Sequence, residues 1–163
     1  MSHPAISMAC KVLSGFVLAM VIGAGTAEAG KGAEIWQRCV TCHQPDGVGI
    51  PGVFPPLKNR LGKIVSSAQG REYVTMVLTS GLFGTIVIDG QSYMGAMPAQ
   101  NLSDAEVADV VNFIAGKFGK PAPGPKKAVL SEKEVAAIRS RHKDINTKST
   151  LDLRSKVPFL NEQ

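Results

Sequence analysis

Two cysteines and a histidine stand together in Cys39-Val-Thr-Cys42-His43, and their types and spacing point to one kind of chemistry. Thiols three residues apart lie on one turn of a helix, where both can form thioether bonds to the vinyl groups on one edge of a porphyrin. The histidine that follows is then held beneath the iron. C-x-x-C-H is the attachment sequence of a c-type haem, so the sequence predicts one covalently attached haem c.

A C-x-x-C pair also occurs in redox dithiols and in zinc sites. A tetrahedral zinc site needs a second pair of ligands, and the remaining residues of suitable type, His3, His142 and Cys10, are badly placed to supply it. A thioredoxin-type dithiol is expected within a βαβ pattern, which this sequence lacks. Haem attachment is therefore the favoured interpretation, with the dithiol as the alternative.

A haem iron has a second axial position, and Met97 is the favoured ligand for it. This residue lies in Tyr93-Met-Gly-Ala-Met97-Pro98, a segment that the proline stiffens. A neutral thioether favours reduced iron and raises the reduction potential. Met94 and His142 are alternative ligands, and a methionine that only fills a gap against the cofactor is a further possibility.

The N-terminal segment predicts export. Lys11 precedes an apolar run from Val12 to Gly25, and Ala27-Glu28-Ala29 has the form of a signal-peptide cleavage site. We expect residues 1–29 to be a cleaved signal peptide and the mature chain to reside in the periplasm. The apolar run is shorter than the ~20 residues that span a bilayer, and an uncleaved anchor is the alternative.

Apolar periodicity predicts three helices in residues 30–120. The first spans residues 30–41 and leads into the C-x-x-C-H sequence, and the second spans residues 69–80. The third begins after Ser103, with Glu106 at the capping-box position, and ends near Gly119.

Two segments between these helices predict loops. Residues 45–56 are rich in glycine and proline, which is typical of a loop around a large object. Residues 86–93 are β-branched in part and could pair briefly as strands, but Asp89-Gly90 favours a turn within a loop.

Residues 121–163 are predicted to be an appendage that contains a Pro-rich linker, a short helix over residues 131–141 and a basic tail. This segment has 9 Lys and Arg against 5 Asp and Glu, whereas residues 30–120 have 8 against 7. The positive charges are mixed with acids and lack interleaved aromatics, so a nucleic-acid surface is not expected. The tail can strap across the domain, dock on a partner or stay disordered.

On these residues the chain resembles the class I monohaem cytochromes c of the bacterial periplasm, of the type associated with dehydrogenases and other oxidoreductases. The resemblance covers residues 30–119. Gly32 and Trp36 match the family's first helix, and Phe113 matches the aromatic position of the helix that crosses it. The resemblance implies an all-α fold, the small cytochrome c fold, in which three to four helices wrap around one haem, here with a C-terminal extension.

The resemblance also implies roles for further residues. Pro55-Pro-Leu57 is similar to the family's P-x-L segment, in which the proline carbonyl orients the haem histidine, here His43. Met97-Pro98 is similar to the family's distal ligand loop. Four more side chains become candidates to face the haem propionates or a partner: Arg38, Arg60, Lys63 and Tyr93.

The implied function is electron transfer by a periplasmic carrier that is not itself an enzyme. One haem cycles between Fe(III) and Fe(II) with His43 and Met97 as axial ligands. The expected donor is a periplasmic dehydrogenase or another redox protein, and the expected acceptor is a terminal oxidase, a reductase or a membrane complex. The mature chain is expected to have no transmembrane segment.

Two other functions stay open. In one, the chain is an obligate haem c subunit of a periplasmic oxidoreductase, with residues 121–163 as the interface. In the other, the iron is open, and the protein binds small ligands or acts like a peroxidase.

Overall fold

The computed structural model of the protein describes residues 27–119 and 129–161. Most of the predicted signal peptide, including Cys10, and the predicted Pro-rich linker lie outside the described residues. The elements follow in this order: α1 (Ala27–His43), α2 (Leu61–Ile64), α3 (Ala68–Ser80), β1 (Leu82–Ile88), β2 (Gln91–Met97), α4 (Asp104–Phe118), α5 (Glu132–Arg141), α6 (Thr147–Arg154) and α7 (Pro158–Asn161). Within the described ranges, no helix combines the length and apolar character needed to cross a membrane.

The three helices predicted in residues 30–120 are present as α1, α3 and α4. The Ser103 side chain accepts a hydrogen bond from the Glu106 backbone N–H at 3.3 Å, and the Glu106 carboxylate accepts one from the Ser103 backbone N–H at 3.0 Å. This capping box satisfies two backbone donors at the start of α4. Helix α3 ends at Gly81, whose φ of 79° favours glycine.

Helices α1 and α4 cross at Gly32. A Cβ atom on this glycine would lie only 2.4 Å from the Asp109 carbonyl oxygen and 2.7 Å from the Phe113 Cβ. Trp36, one turn further along α1, is 1% exposed, and its ring meets that of Phe118 edge to face with centroids 5.2 Å apart. Phe113 therefore lies at the glycine, as the resemblance implied, whereas Phe118 at the end of α4 is a ring partner of Trp36.

The prediction of a loop over residues 86–93 was wrong. Strands β1 and β2 form an antiparallel hairpin in which Leu82 pairs with Met97 and Ile88 pairs with Gln91. Asp89 and Gly90 are its two-residue turn, with φ angles of 49° and 78°. Two consecutive positive φ angles match the twist of the flanking strands, which is why Asp-Gly is favoured in such hairpins.

The segment after the linker is ordered and strapped across the domain. Helix α5 begins after the N-cap Ser131, close to the predicted start, and contacts α3 and α4; α6 contacts α3 and β1, and α7 contacts α2. Its apolar side chains belong to the same core cluster as those of α1 and α4: Leu130, Val135, Ile138, Leu153, Val157 and Leu160. The helices therefore outnumber the three to four expected.

Polar contacts attach the same segment to α3 and α4. The Asn112 side chain donates to the Leu130 carbonyl at 2.7 Å and accepts from the Val129 and Leu130 backbone N–H groups. His142 and Glu72 form a hydrogen bond of 2.6 Å. The boundary between residues 120 and 121 stays a prediction, because it lies outside the described residues.

We expect Gly32→Ala to destabilise the holoprotein by about 1–3 kcal/mol, because the added methyl group cannot fit between α1 and α4 without separating them. The free energy of unfolding, from denaturant titration, measures the effect. Gly116→Ala is the matched control, since no atom lies within 4 Å of its added Cβ; this helical glycine should gain about 0.5–1 kcal/mol. Equal stability of the two variants would contradict the close crossing.

Candidate functional site

The last turn of α1 places Cys39, Cys42 and His43 in the wall of one cavity of about 610 Å³. This volume lies in the usual range for ligand sites, which are mostly apolar with a few polar groups. Most of the lining comes from aliphatic and aromatic side chains of all the surrounding elements, for example Ile35, Leu61, Val74, Ile88, Val110 and Ile114.

His43 is held by the backbone of the following loop. Its Nδ1 lies 2.9 Å from the Pro55 carbonyl oxygen, and because a carbonyl can only accept, Nδ1–H is the donor. Burial lowers the pKa of His43, and the bond to Pro55 only partly offsets this. The ring is therefore neutral at neutral pH, with a lone pair on Nε2 for a metal.

Gly49 lets the loop after α1 bring the Pro55 carbonyl close to the His43 ring. Its backbone N–H donates to the His43 carbonyl at 3.0 Å, and its φ is 68°. A Cβ atom here would lie 2.2 Å from the Phe54 carbonyl oxygen and 2.8 Å from the Pro55 oxygen. The absence of a side chain at Gly49 therefore lets the Pro55 carbonyl reach the imidazole.

The surroundings of the two thiols do not favour a redox dithiol. Burial raises the pKa of Cys39, with Arg38 lowering it and Cys42 raising it further. Catalytic dithiols need a depressed thiol pKa, typically at a helix N-terminus, whereas Cys39 and Cys42 lie at the C-terminal end of α1, where the helix dipole opposes a thiolate. Within residues 27–119 and 129–161, no group of three or more His, Cys, Asp or Glu could hold a metal ion.

The β1–β2 hairpin forms another wall of the cavity. Met97, the last residue of β2, is partly buried and lines the cavity, as does Tyr93, which is 8% exposed. Met94 lies at the cavity edge and is 79% exposed. The alternative ligand His142 bonds to Glu72 instead and is absent from the cavity wall.

The candidate cations divide into two groups. Arg38 and Arg60 line the cavity, whereas Lys63 stands outside it, with its ammonium 5.0 Å from the centre of the Phe159 ring. Arg38 donates to the Gln100 carbonyl at 3.0 Å. The Arg60 side chain is 11% exposed and donates to the Asp89 carboxylate at 2.8 Å.

The cavity residues that were not identified from the sequence include Tyr73 on α3, Arg154 on α6 and Leu160 on α7. Tyr73 lies within the predicted helix over residues 69–80, and the other two belong to the predicted tail. A local sequence pattern gave no signal for them, because their approach to the cavity depends on how α6 and α7 pack against the rest of the domain.

Comparison with known proteins gives the same family by two routes, a family profile and individual relatives. The sequence profile of the Cytochrome c family matches residues 29–117. The chain is similar to cytochrome c-552 of Thermus thermophilus, with 36% identity over 123 residues that cover 75% of this chain and 83% of that protein. Because the match covers 123 residues and α4 ends at residue 118, the similarity extends beyond α4 into the C-terminal part of the chain.

Two further relatives are named for electron-transfer systems. The cytochrome c subunit of a quinone alcohol dehydrogenase from Gluconobacter oxydans is 31% identical over 119 residues, which cover 71% of this chain and 23% of that protein. The thiosulfate dehydrogenase electron acceptor of Stutzerimonas stutzeri is 33% identical over 103 residues, which cover 58% of this chain and 43% of that protein.

We expect Gly49→Ala to displace the Pro55 carbonyl and to destabilise the holoprotein. A side chain at positive φ costs about 1 kcal/mol, and the clash with the Phe54 and Pro55 carbonyls adds about 1–3 kcal/mol. Gly90→Ala is the matched control, because its φ is 78° but no atom lies within 4 Å of the added Cβ. Denaturant unfolding measures the stability of both variants, and the NMR resonance of the His43 Nδ1–H reports on the hydrogen bond. A Gly49→Ala protein that resembles Gly90→Ala in both measurements would contradict this role of the loop.

Proposed function

Because this chain belongs to the cytochrome c family and carries one covalently bound haem c, we propose that Cys39 and Cys42 form its thioethers and that His43 and Met97 ligate its iron. The haem supplies one-electron redox chemistry, and the protein is an electron carrier, free or as a subunit, and not itself a catalytic enzyme. The His43–Pro55 hydrogen bond, in a cavity that Met97 also lines, carries this proposal.

The hydrogen bond at Nδ1 gives His43 two properties of a good iron ligand. It fixes the plane of the ring, and it leaves Nε2 as the unprotonated nitrogen. A carbonyl acceptor also increases the basicity of the ligating nitrogen. The proposed role of Pro55 is therefore to orient His43 through its backbone, and its side chain is not needed for this.

Met97 is supported as the second ligand by how firmly its strand is held. It pairs with Leu82, and the next strand residues up to the turn continue the ladder. The chain beyond it is also fixed, because the Gln100 backbone N–H donates to the Leu78 carbonyl at 2.8 Å and the Gln100 carbonyl accepts from Arg38. A ligand held on both sides can stay in place in both oxidation states, which favours fast electron transfer.

The exposed edge of the cavity is apolar and suits transient contact with a redox partner. Val53 and Met94 line the cavity and are 55% and 79% exposed, respectively. We place electron entry and exit near this edge and the thioethers. A periplasmic location, with a dehydrogenase as donor and a terminal oxidase, reductase or membrane complex as acceptor, fits the predicted signal peptide, which lies mostly outside the described residues.

A second candidate function is that of a permanent haem subunit in an oxidoreductase. The specific observation in its favour is the similarity to the cytochrome c subunit of a quinone alcohol dehydrogenase. Residues 121–163 were the predicted interface for that function, but apolar side chains between Leu130 and Leu160 contribute to the core of this domain. Deleting the segment would therefore disturb the fold, and the two candidates need a test on the intact chain.

We expect Met97→Ala to retain the covalent haem, to lower the reduction potential and to bind carbon monoxide when reduced, because loss of the thioether opens the iron. Absorption spectra with and without carbon monoxide and a redox titration measure these changes. Met94→Ala is the matched control on the same strand and should behave like the wild type. Unchanged potential and no carbon monoxide binding in Met97→Ala would refute the ligand assignment, and rapid binding by the wild type would support the open-iron alternative.

We expect the full-length holoprotein, isolated from its own cells at low ionic strength, to elute from a sizing column as a monomer. Interfaces between electron-transfer partners are small and weakened by salt. Chemical crosslinking before lysis should capture a redox partner, and without crosslinking the same partner should separate from the protein when salt is added. Co-elution with one dehydrogenase in equal amounts at high salt would instead establish the permanent-subunit function.

A further inference from the structure

A smaller pocket, of about 440 Å³, lies outside the cavity that contains the attachment residues. Its wall is formed by the chain leading into α2, by α2 itself, by the hairpin turn and by α7, and its polar and aromatic side chains are Lys58, Asn59, Arg60, Lys63, Asp89 and Phe159. We call it the lysine pocket. Its volume is sufficient for a small ligand.

The charges around the lysine pocket are unbalanced. Lys58, Arg60 and Lys63 are cations, and Asp89 is the one acid among the described residues of the wall, which leaves an excess of two positive charges. The Asp89 carboxylate accepts a hydrogen bond from Arg60 at 2.8 Å, and its side chain is 70% exposed. Within residues 27–119 and 129–161, neither lysine forms an ion pair with a carboxylate.

The Phe159 ring restricts Lys63 at this pocket. The Lys63 ammonium lies 5.0 Å from the ring centre, and the guanidinium carbon of Arg60 lies 5.4 Å from the same centre. An aromatic face attracts cations, so the ring holds two like charges close to each other. Phe159 is itself half-buried and packs against the core. Because Lys63 is already held, it loses less conformational freedom on binding a ligand than an unrestrained surface lysine does.

The backbone of Lys58 and Asn59 is also fixed. The Lys58 N–H donates to the Gly47 carbonyl at 2.9 Å, and the Asn59 N–H donates to the Phe118 carbonyl at 3.0 Å. Asn59 has a φ of 59°, a conformation that asparagine adopts more readily than most residues. The ammonium of Lys58 and the side-chain amide of Asn59 therefore extend from a rigid segment, and both supply N–H donors that suit oxygen acceptors.

We propose that the lysine pocket binds a small oxyanion with two negative charges, such as phosphate. The charge of this ligand matches the excess in the wall, and its oxygens accept hydrogen bonds from the two lysines and from Asn59. Hydrogen bonds between charged partners are stronger than those between neutral ones. Binding also connects α2 with α7, because Lys63 contacts the anion on one side and the Phe159 ring on the other.

The lysine pocket shares Arg60 with the larger cavity. Negative charge placed beside this guanidinium favours the ferric state of a haem in the cavity, so the bound anion lowers the reduction potential. By reciprocity, the ferric protein then binds the anion more tightly than the ferrous protein does, by the factor that corresponds to the potential shift. This link to the iron rests on the proposed function, whereas anion binding by the pocket does not.

The test titrates the full-length holoprotein with sodium phosphate, with sodium chloride adjusted so that the ionic strength stays constant. Isothermal calorimetry measures the affinity of the ferric and ferrous forms, and a redox titration measures the potential at each phosphate concentration. We expect saturable binding at one site and a potential that falls to a plateau. Sodium sulfate, a dianion at every pH of the experiment, should act in the same way, and chloride alone should not.

The variant that tests the site is the double substitution Lys58→Gln and Lys63→Gln. We expect it to weaken phosphate binding about tenfold, the combined effect of losing two exposed charge contacts. The matched control is the pair Lys133→Gln and Lys148→Gln, which removes the same charge from exposed positions that line neither pocket. This control should bind phosphate as the wild type does.

Lys58→Gln alone is the second variant, for the case in which loss of the Lys63 contact with Phe159 disturbs the fold. The side chain of Lys58 has no printed-range contact to lose, since its ammonium forms no ion pair or ring contact within the described parts of the chain. We expect this variant to keep the stability of the wild type and to weaken phosphate binding about threefold.

Three outcomes would overturn the proposal. One is the absence of saturable phosphate binding at constant ionic strength. Another is an equal loss of affinity in the double variant and in its control, which would indicate a general charge effect. The third is binding to vesicles of anionic phospholipid that depends on Lys58 and Lys63 without any binding of free phosphate, which would assign these lysines to a membrane surface.

The proposed function fails separately from the lysine pocket. A wild-type protein that binds phosphate but lacks a c-type haem spectrum would refute the proposed function and support the pocket. A normal haem spectrum without phosphate binding would do the reverse. Saturable binding with an unchanged potential would support the pocket and refute its link to the iron.

Discussion

The close crossing of α1 and α4 at Gly32 is the constraint on which the rest of the structure depends. Helix α1 ends in the turn that carries Cys39, Cys42 and His43, so its position against α4 decides where the attachment residues stand. Below the crossing, the Trp36 and Phe118 rings fix the rotation of α1 by edge-to-face contact. Once this helix is fixed, the Gly49 loop, the hairpin and the C-terminal helices can close around one defined cavity.

The features that the sequence predicted well are those encoded by neighbouring residues. The C-x-x-C-H turn, the capping box at Ser103 and the end of α3 at residue 80 depend on chemistry within a few positions. The hairpin was predicted wrongly because β2 is poor in β-branched residues, and its strand conformation depends on pairing with β1, which in turn packs on α6. The aromatic contact of Trp36 was likewise decided by the crossing angle, which no local pattern reveals.

The C-terminal segment was even harder to predict from local sequence patterns. Its apolar residues are sparse and are separated by charged ones, so the composition resembled a solvated tail. In the structure, Val135 is 0% exposed because α5 packs on α3 and α4, and Val157, also 0% exposed, belongs to the same core cluster. Whether these C-terminal side chains are buried depends on the domain surface on which they pack, and not on their own neighbours in the sequence. Arg154 could not be distinguished from the other basic residues of the tail for the same reason.

The fastening of the hairpin by α6 joins segments that lie far apart in the chain. Arg154 on α6 donates to the Val87 carbonyl on β1, 67 positions away, and Gly32 and Asp109, which meet where α1 crosses α4, are farther apart still. Contacts at such separations add stability only after a long loop has closed. The wall of the cavity is therefore complete only when the first and the last helices of the domain have both reached their places.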